Sequence, residues 1–302
     1  MSGGPGGPGG PNISFAGCGF VGVYHIGVSA CLRLYAPQLL ENKVGGSSAG
    51  AMAAAALVCS LPLPDIARPV LRLAAAAHQK ALGPFSPSFD LNQLLRASLE
   101  RLLPEDAASL ATGRLYISMT RLADRSNLLV SSYTSRADLL EAILASSFIP
   151  LLSGWRPPRY RGQLMCDGGC SDNLPALAGS PTITVSPFAG TASICPEEEG
   201  GAALAVSLAQ GNTSLHLSRG NLTKMGRALV PPDTPALLAL CRQGFQDGLR
   251  YLRAGRLLLC TRCVRLSTPH SDCSHCQAII EEAETKTLPM EIVEVFYEKE
   301  ES

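Results

Sequence analysis

The chain has 302 residues, with 25 Lys+Arg against 25 Asp+Glu, 46% apolar residues and only 5% aromatics. This composition excludes a disordered chain, and zero net charge argues against nucleic-acid binding and against a polybasic membrane anchor. No run reaches the ~18 apolar residues of a spanning helix, and MSGGPGGPGGP lacks the basic and apolar regions of a signal peptide.

Eleven cysteines, an odd number with no export signal, point to reduced thiols and a cytoplasmic protein. The length suits one large α/β domain with an appendage.

Residues 1–11 form a Gly/Pro-rich tail. Asn12–Ala16 reads as a strand that enters the glycine turn Gly17-Cys18-Gly19-Phe20-Val21-Gly22, followed by a helix to about Leu34, stopped by Pro37. A short strand at Lys43–Gly45 leads through GGSSAG into an Ala-rich helix, Ala49–Cys59. Pro62 and Pro64 break the pattern. Helical periodicity returns at Ile66–Leu82 and Leu91–Leu103, punctuated by Gly83-Pro84 and Pro87. Arg114–Thr120 alternates like a strand, and Asn127–Ser132 continues it as a hairpin. Ser135 to Asp138 resembles a capping box before a helix to Ala145. Pro150, Pro157 and Pro158 mark an irregular stretch that carries Trp155. Leu164–Cys166 and Thr182–Ser186 read as strands, and Thr234–Leu252 as a helix. This alternation predicts a mostly parallel sheet flanked by helices.

Gly46-Ser47-Ser48-Ala49-Gly50 fits G-x-S-x-G. The motif suits a sharp strand-to-helix turn that lifts a serine oxygen clear of the sheet, with the helix start stabilising an oxyanion. By itself the pentapeptide is also compatible with a plain glycine-flanked helix start. The G-x-G-x-x-G turn at Gly17, Gly19 and Gly22 has two readings as well. A dinucleotide site wants an acidic residue closing the second strand, but Glu41 precedes that strand. As an oxyanion loop, the turn would aim backbone N–H groups, such as those of Cys18 and Gly19, at a tetrahedral oxygen. A serine hydroxyl needs a base, and none of His25, His78, His216, His270 and His275 sits where an α/β-hydrolase keeps its late histidine. Only one well-formed strand precedes Ser48, which also speaks against that fold. A Ser–Asp pair remains, with Asp167 of Asp167-Gly168-Gly169 as the carboxylate.

Taken together, these residues resemble the patatin-like phospholipase family, and most closely its animal branch, the adipose triglyceride lipase group. The matching segments are NISFAGCGFVGVYHIGV, GGSSAG, LGPFSPSF, GRLYISMTRL, SSFIPLLSG, DGGCSDNLP, and TITVSPFAG followed by ICP. They cover roughly residues 12–196, with weaker pieces to about residue 252. The resemblance implies a three-layer α/β/α fold across residues 12–255 and acyl-ester hydrolysis by a Ser–Asp dyad. On it, Ser48 corresponds to the nucleophile, Asp167 to the base, the loop Gly17–Gly22 to the oxyanion hole, Gly46 and Gly50 to the elbow glycines, and Asn173 to a turn-shaping residue. The implied substrate is an acylglycerol or phospholipid, met at a lipid droplet or membrane surface where the protein sits peripherally. Catalysis would need no cofactor. An activating or inhibitory protein is an expected partner; transacylation to a non-water acceptor and a catalytically weak lipid-surface scaffold or regulatory protein are the alternatives.

One element falls outside that resemblance. Cys260-x2-Cys263 is followed after nine residues by Cys273-x2-Cys276, with His270 and His275 among them. Two such knuckles suit a closed, structural zinc site, expected within residues 256–280. Residues 281–302 read as a charged, Glu-rich tail.

Overall fold

The computed structural model describes residues 10–197, 219–258 and 287–298. A seven-stranded sheet organises them. Its parallel part is built from β1 (Asn12–Phe15), β2 (Val44–Ser47), β3 (Leu115–Arg121) and the last strand, Thr182–Val185. Every residue of β1 and β2 is buried, as expected for a parallel sheet covered on both faces. On the far side of β3 the pairing turns antiparallel. β4 (Asn127–Val130) returns along β3 as the expected hairpin, and β5 (Arg159–Tyr160) and β6 (Gln163–Asp167) complete that side. The last strand is therefore β7, and it pairs with β1.

Helices cover both sides of the sheet. α1 (Val23–Tyr35) is buried over most of its circumference, as a helix between two layers must be. One buried polar contact ties it to the long C-terminal helix: the Tyr24 hydroxyl donates to Asp247 at 2.7 Å, and Asp247 pairs with Arg250 at 2.8 Å. α2 (Ala49–Val58) follows β2 directly. α3 spans Leu63–His78, starting earlier than the prolines suggested. Pro62 is its N-cap and Pro64 lies in the first turn, where a missing N–H costs nothing. Pro69 lies within the helix. α4 (Leu91–Leu102) is capped by Asp90, which accepts from the Gln93 N–H. The short α5 (Ala107–Ala111) was not apparent from periodicity. α6 (Arg136–Ser146) carries the expected cap, with Ser135 accepting from the Asp138 N–H.

The rest of the described chain adds three helices. α7 (Arg219–Leu229) was not foreseen as a helix. α8 (Thr234–Ala254) matches expectation. Within the stretch read as a Glu-rich tail, Met290–Val295 forms α9. Its apolar side chains, Ile292, Val295 and the adjoining Phe296, are buried in the core. Arg68 on α3 pairs with Glu298 just beyond it.

Candidate active site

Ser48 sits between the end of β2 and the start of α2, at φ 52° and ψ −124°. A non-glycine residue at positive φ is strained, and here the strain belongs to the turn that the sequence motif predicts. The glycines on either side are required by close approach. A Cβ on Gly46 would lie 2.6 Å from the Phe15 oxygen, and one on Gly50 would drive into the same carbonyl. Any larger residue would push β1 and the elbow apart.

Asp167 ends β6, on the antiparallel side of the sheet, and faces this elbow. Its carboxylate lies beside the Ser48 hydroxyl, which pulls its pKa down, and accepts a hydrogen bond from the Gly169 N–H at 2.7 Å. Both residues are buried, Ser48 with 6% of its surface exposed and Asp167 with 8%. Burial raises the Asp167 pKa from the ordinary 3.8 to about 6, while the Ser48 hydroxyl and the bond from Gly169 pull in the opposite direction. The carboxylate is thus held close to neutral range yet ionised at pH 7, the condition wanted of a general base.

The glycine turn lies against the elbow, with Gly22 set so that its Cβ would be 3.1 Å from the Ala49 methyl. Gly19 has φ +54° and faces the Ala228 carbonyl of α7, leaving no room for a side chain. The Gly17 N–H is already engaged. It donates to the Asn173 side-chain oxygen at 2.8 Å and to Ser47 Oγ at 3.1 Å, so it serves the scaffold of the site. The N–H groups of Cys18 and Gly19, at the open start of the 3-10 turn Gly19–Gly22, have no backbone acceptor among the described residues. Asn173 also accepts from the Ser47 hydroxyl at 2.7 Å. It therefore clips three segments together: the end of β1, the end of β2 and the loop after Asp167.

The buried thiols Cys18 and Cys166 and the buried His25 lie near the site. Cys18 Sγ lies 3.2 Å from His25 Nε2, which also contacts the Ala16 carbonyl at 2.8 Å. Burial lowers the His25 pKa to about 4 and raises that of Cys18 well above its ordinary value. Neither group ionises near neutrality. Burial likewise raises Cys166 to about 11. His78, on α3, faces the Pro231 carbonyl at 3.0 Å. Cys260, Cys263, Cys273 and Cys276, with His270, His275 and His216, lie outside the described residues. Among the described residues no group of three or more His, Cys, Asp or Glu is placed to hold a metal.

One contributor had no sequence signal. Ser146, at the C-terminal end of α6, accepts from the Ser48 N–H at 2.8 Å and donates to the Ser118 carbonyl at 2.7 Å. It ties the strained backbone of the elbow to β3. Nothing in SSFIPLLSG distinguishes it from its neighbour Ser147; only the packing of α6 beneath the elbow does.

An apolar pocket opens beside Ser48. Phe20, Met52, Leu73, Leu95, Ile149 and Leu152 contribute to its wall, and Ala228 of α7 stands at its edge near Gly19. The site thus joins a hydroxyl, a carboxylate and backbone donors to a largely hydrocarbon-lined chamber.

The model for patatin-like phospholipases matches residues 13–179. The chain is 44% identical over 249 residues to patatin-like phospholipase domain-containing protein 2 of Rattus norvegicus, covering 82% of this chain and 52% of that protein. It is 42% identical over 243 residues to a 1-acylglycerol-3-phosphate O-acyltransferase of Mus musculus, covering 80% and 58%. It is 35% identical over 244 residues to patatin-like phospholipase domain-containing protein 4 of Homo sapiens, covering 80% and 96%. The chain spans about half the length of the first of these relatives. With the mixed α/β sheet, the serine elbow and a family match over more than half its residues, this chain belongs to the patatin-like phospholipase family.

Proposed function

We propose that the protein is a lipid acyl-ester hydrolase that works through Ser48 and Asp167. The observation that carries this reading is the buried Asp167 carboxylate set beside the Ser48 hydroxyl, with Ser48 on the wall of an apolar pocket. In the first step Asp167 accepts the hydroxyl proton as Ser48 attacks the ester carbonyl. The N–H groups of Cys18 and Gly19 are the donors available to the oxyanion, and losing one such donor costs about 3 kcal/mol of barrier. The protonated Asp167 returns its proton to the leaving alcohol. Water, with Asp167 again as base, then releases the acyl group from Ser48. Serine, carboxylate and amides supply this chemistry without a cofactor.

The substrate class is acylglycerol or phospholipid, because the pocket wall suits a hydrocarbon chain and the relatives are named for such lipids. Transfer of the acyl group to an alcohol acceptor is the second reading. Its support is that relatives carry acyltransferase and transacylase names, including an omega-hydroxyceramide transacylase of Homo sapiens at 39% identity. A peripheral station on a lipid droplet or membrane follows from such a substrate, and no helix among the described residues is long and apolar enough to cross a membrane. A structural zinc held by Cys260, Cys263, Cys273 and Cys276 is a separate proposal that rests on spacing alone.

The deciding experiment compares wild type with Ser48→Ala on a triacylglycerol emulsion and on phospholipid vesicles, with and without an added lysolipid acceptor. Product from wild type only is expected, and the preferred lipid fixes the substrate. Equal rates from the two proteins would defeat the reading.

A further inference from the structure

α7 is an amphipathic helix mounted with its polar side inward. Asn221 is buried and clamps the Ala189 backbone, accepting from its N–H at 2.9 Å and donating to its carbonyl at 2.8 Å. Lys224 reaches the Pro187 carbonyl at 3.0 Å. Leu222, Met225 and Leu229, at i, i+3 and i+7, therefore share the outward face. All three are exposed, as is Val230 beyond the helix. A soluble helix ordinarily buries such a stripe.

This stripe continues around the pocket. Ala228 lies at the pocket edge, and the α3 end approaches the chain after α7 through His78 and the Pro231 carbonyl. Beyond α3, Leu82 and Phe85 are exposed. In the segment after α6, Ile149 and Leu152 line the pocket while the neighbouring Leu151, at φ 73°, and Trp155 are exposed, Trp155 with 84% of its surface. Three separate segments that line or adjoin the pocket thus carry exposed large apolar side chains.

Charge is biased in the same place. Residues 79–89, 149–158 and 220–232 contain no Asp or Glu and, besides the inward-turned Lys224, carry Lys80, Arg156 and Arg227, in a chain whose net charge is zero. Arg156 and Arg227 are exposed. Basic side chains beside an apolar stripe are the features of a helix that lies in the headgroup region of an anionic membrane.

We infer that this rim, with the Leu222–Met225–Leu229 face of α7 at its centre, docks the protein on an anionic phospholipid surface, so that the pocket opens directly onto the lipid. The inference rests on the esterase reading only for the purpose of docking; the surface itself is read from exposure and charge.

Trp155 is the single tryptophan and reports insertion directly. The full chain is titrated with phosphatidylcholine vesicles carrying about 20 mol% phosphatidylserine, following Trp155 emission and co-sedimentation. A blue shift is expected for wild type, with weaker binding to pure phosphatidylcholine. The Leu222→Ser/Met225→Ser/Leu229→Ser variant should bind about 100-fold more weakly, with an unchanged circular dichroism spectrum because these side chains are exposed. A soluble short-chain ester separates the two claims: the triple variant should cleave it as wild type does, and Ser48→Ala should not. Vesicle binding that survives the triple substitution overturns the docking face. Wild type that ignores vesicles but cleaves the soluble ester overturns docking and leaves the esterase standing. Vesicle binding lost in the triple variant, with no ester cleavage by any form, supports the surface and defeats the esterase. A wild-type dimer that becomes a monomer in the triple variant would assign the face to a second copy, against the inference.

Discussion

In the proposed mechanism, burying Asp167 as an anion activates Ser48 and weakens the fold, and replacing it with asparagine should expose both effects. Its pKa rises from 3.8 to about 6 on folding, with burial as the leading cause. A raised carboxyl pKa means that the folded state binds the proton more tightly than the unfolded chain. The resulting stability is fully present below about pH 4 and is lost as pH climbs through about 6. Roughly two pH units correspond to about 3 kcal/mol, and the group is too deeply buried for solvent to screen much of it. Asp167→Asn keeps the shape and can still accept from Gly169, but carries no charge. At about pH 8 the variant should be up to ~3 kcal/mol more stable than wild type, or about 5 °C in melting temperature. At about pH 4 the gain should vanish. Thermal and urea melts at the two pH values measure this directly. The wild-type rate on a soluble ester should meanwhile rise tenfold per pH unit below about 6 and level off above it, while the variant stays inactive. A gain that is the same at both pH values, or a variant less stable at about pH 8, would show that the buried anion is not the source.

Ser48→Gly relieves the φ 52° strain that Ser48→Ala retains, so the glycine variant should be about 1 kcal/mol more stable by denaturation, and both should be inactive. Ser146→Ala strips the Ser48 N–H and the Ser118 carbonyl of their partner; a loss of about 1–3 kcal/mol should come with a fall in kcat rather than a rise in KM. Asn173→Ala frees the Gly17 N–H and the Ser47 hydroxyl, and should lower kcat on the soluble ester while leaving the apparent pKa near 6 in place. Ile292→Ala opens a cavity where a fully buried side chain of α9 meets the core, at a cost of about 2–5 kcal/mol in urea unfolding and with the ester rate unaffected below the transition.

The sequence alone determined whatever depends on local steric or hydrogen-bonding rules. G-x-S-x-G foretells a strained turn because small residues must flank any backbone that passes so close to β1. Ser135 and Asp138 foretell the start of α6 because the cap is a local bond. The order of the short motifs, read together, identified the family and paired Ser48 with Asp167 across 118 intervening positions. Prolines misled at α3, since a proline in the first turn marks a helix start as readily as a break. Tertiary structure decided what depends on neighbours distant in sequence. It engaged the Gly17 N–H with Asn173, it chose Ser146 to hold the elbow, and it raised the Asp167 pKa by burying it. Periodicity also cannot tell which face of α7 points inward. That face was settled by Asn221 and Lys224 finding backbone partners at 187 and 189, which left the leucines outside. An amphipathic pattern states only that a helix has two faces, and the partner it packs against determines which one meets solvent.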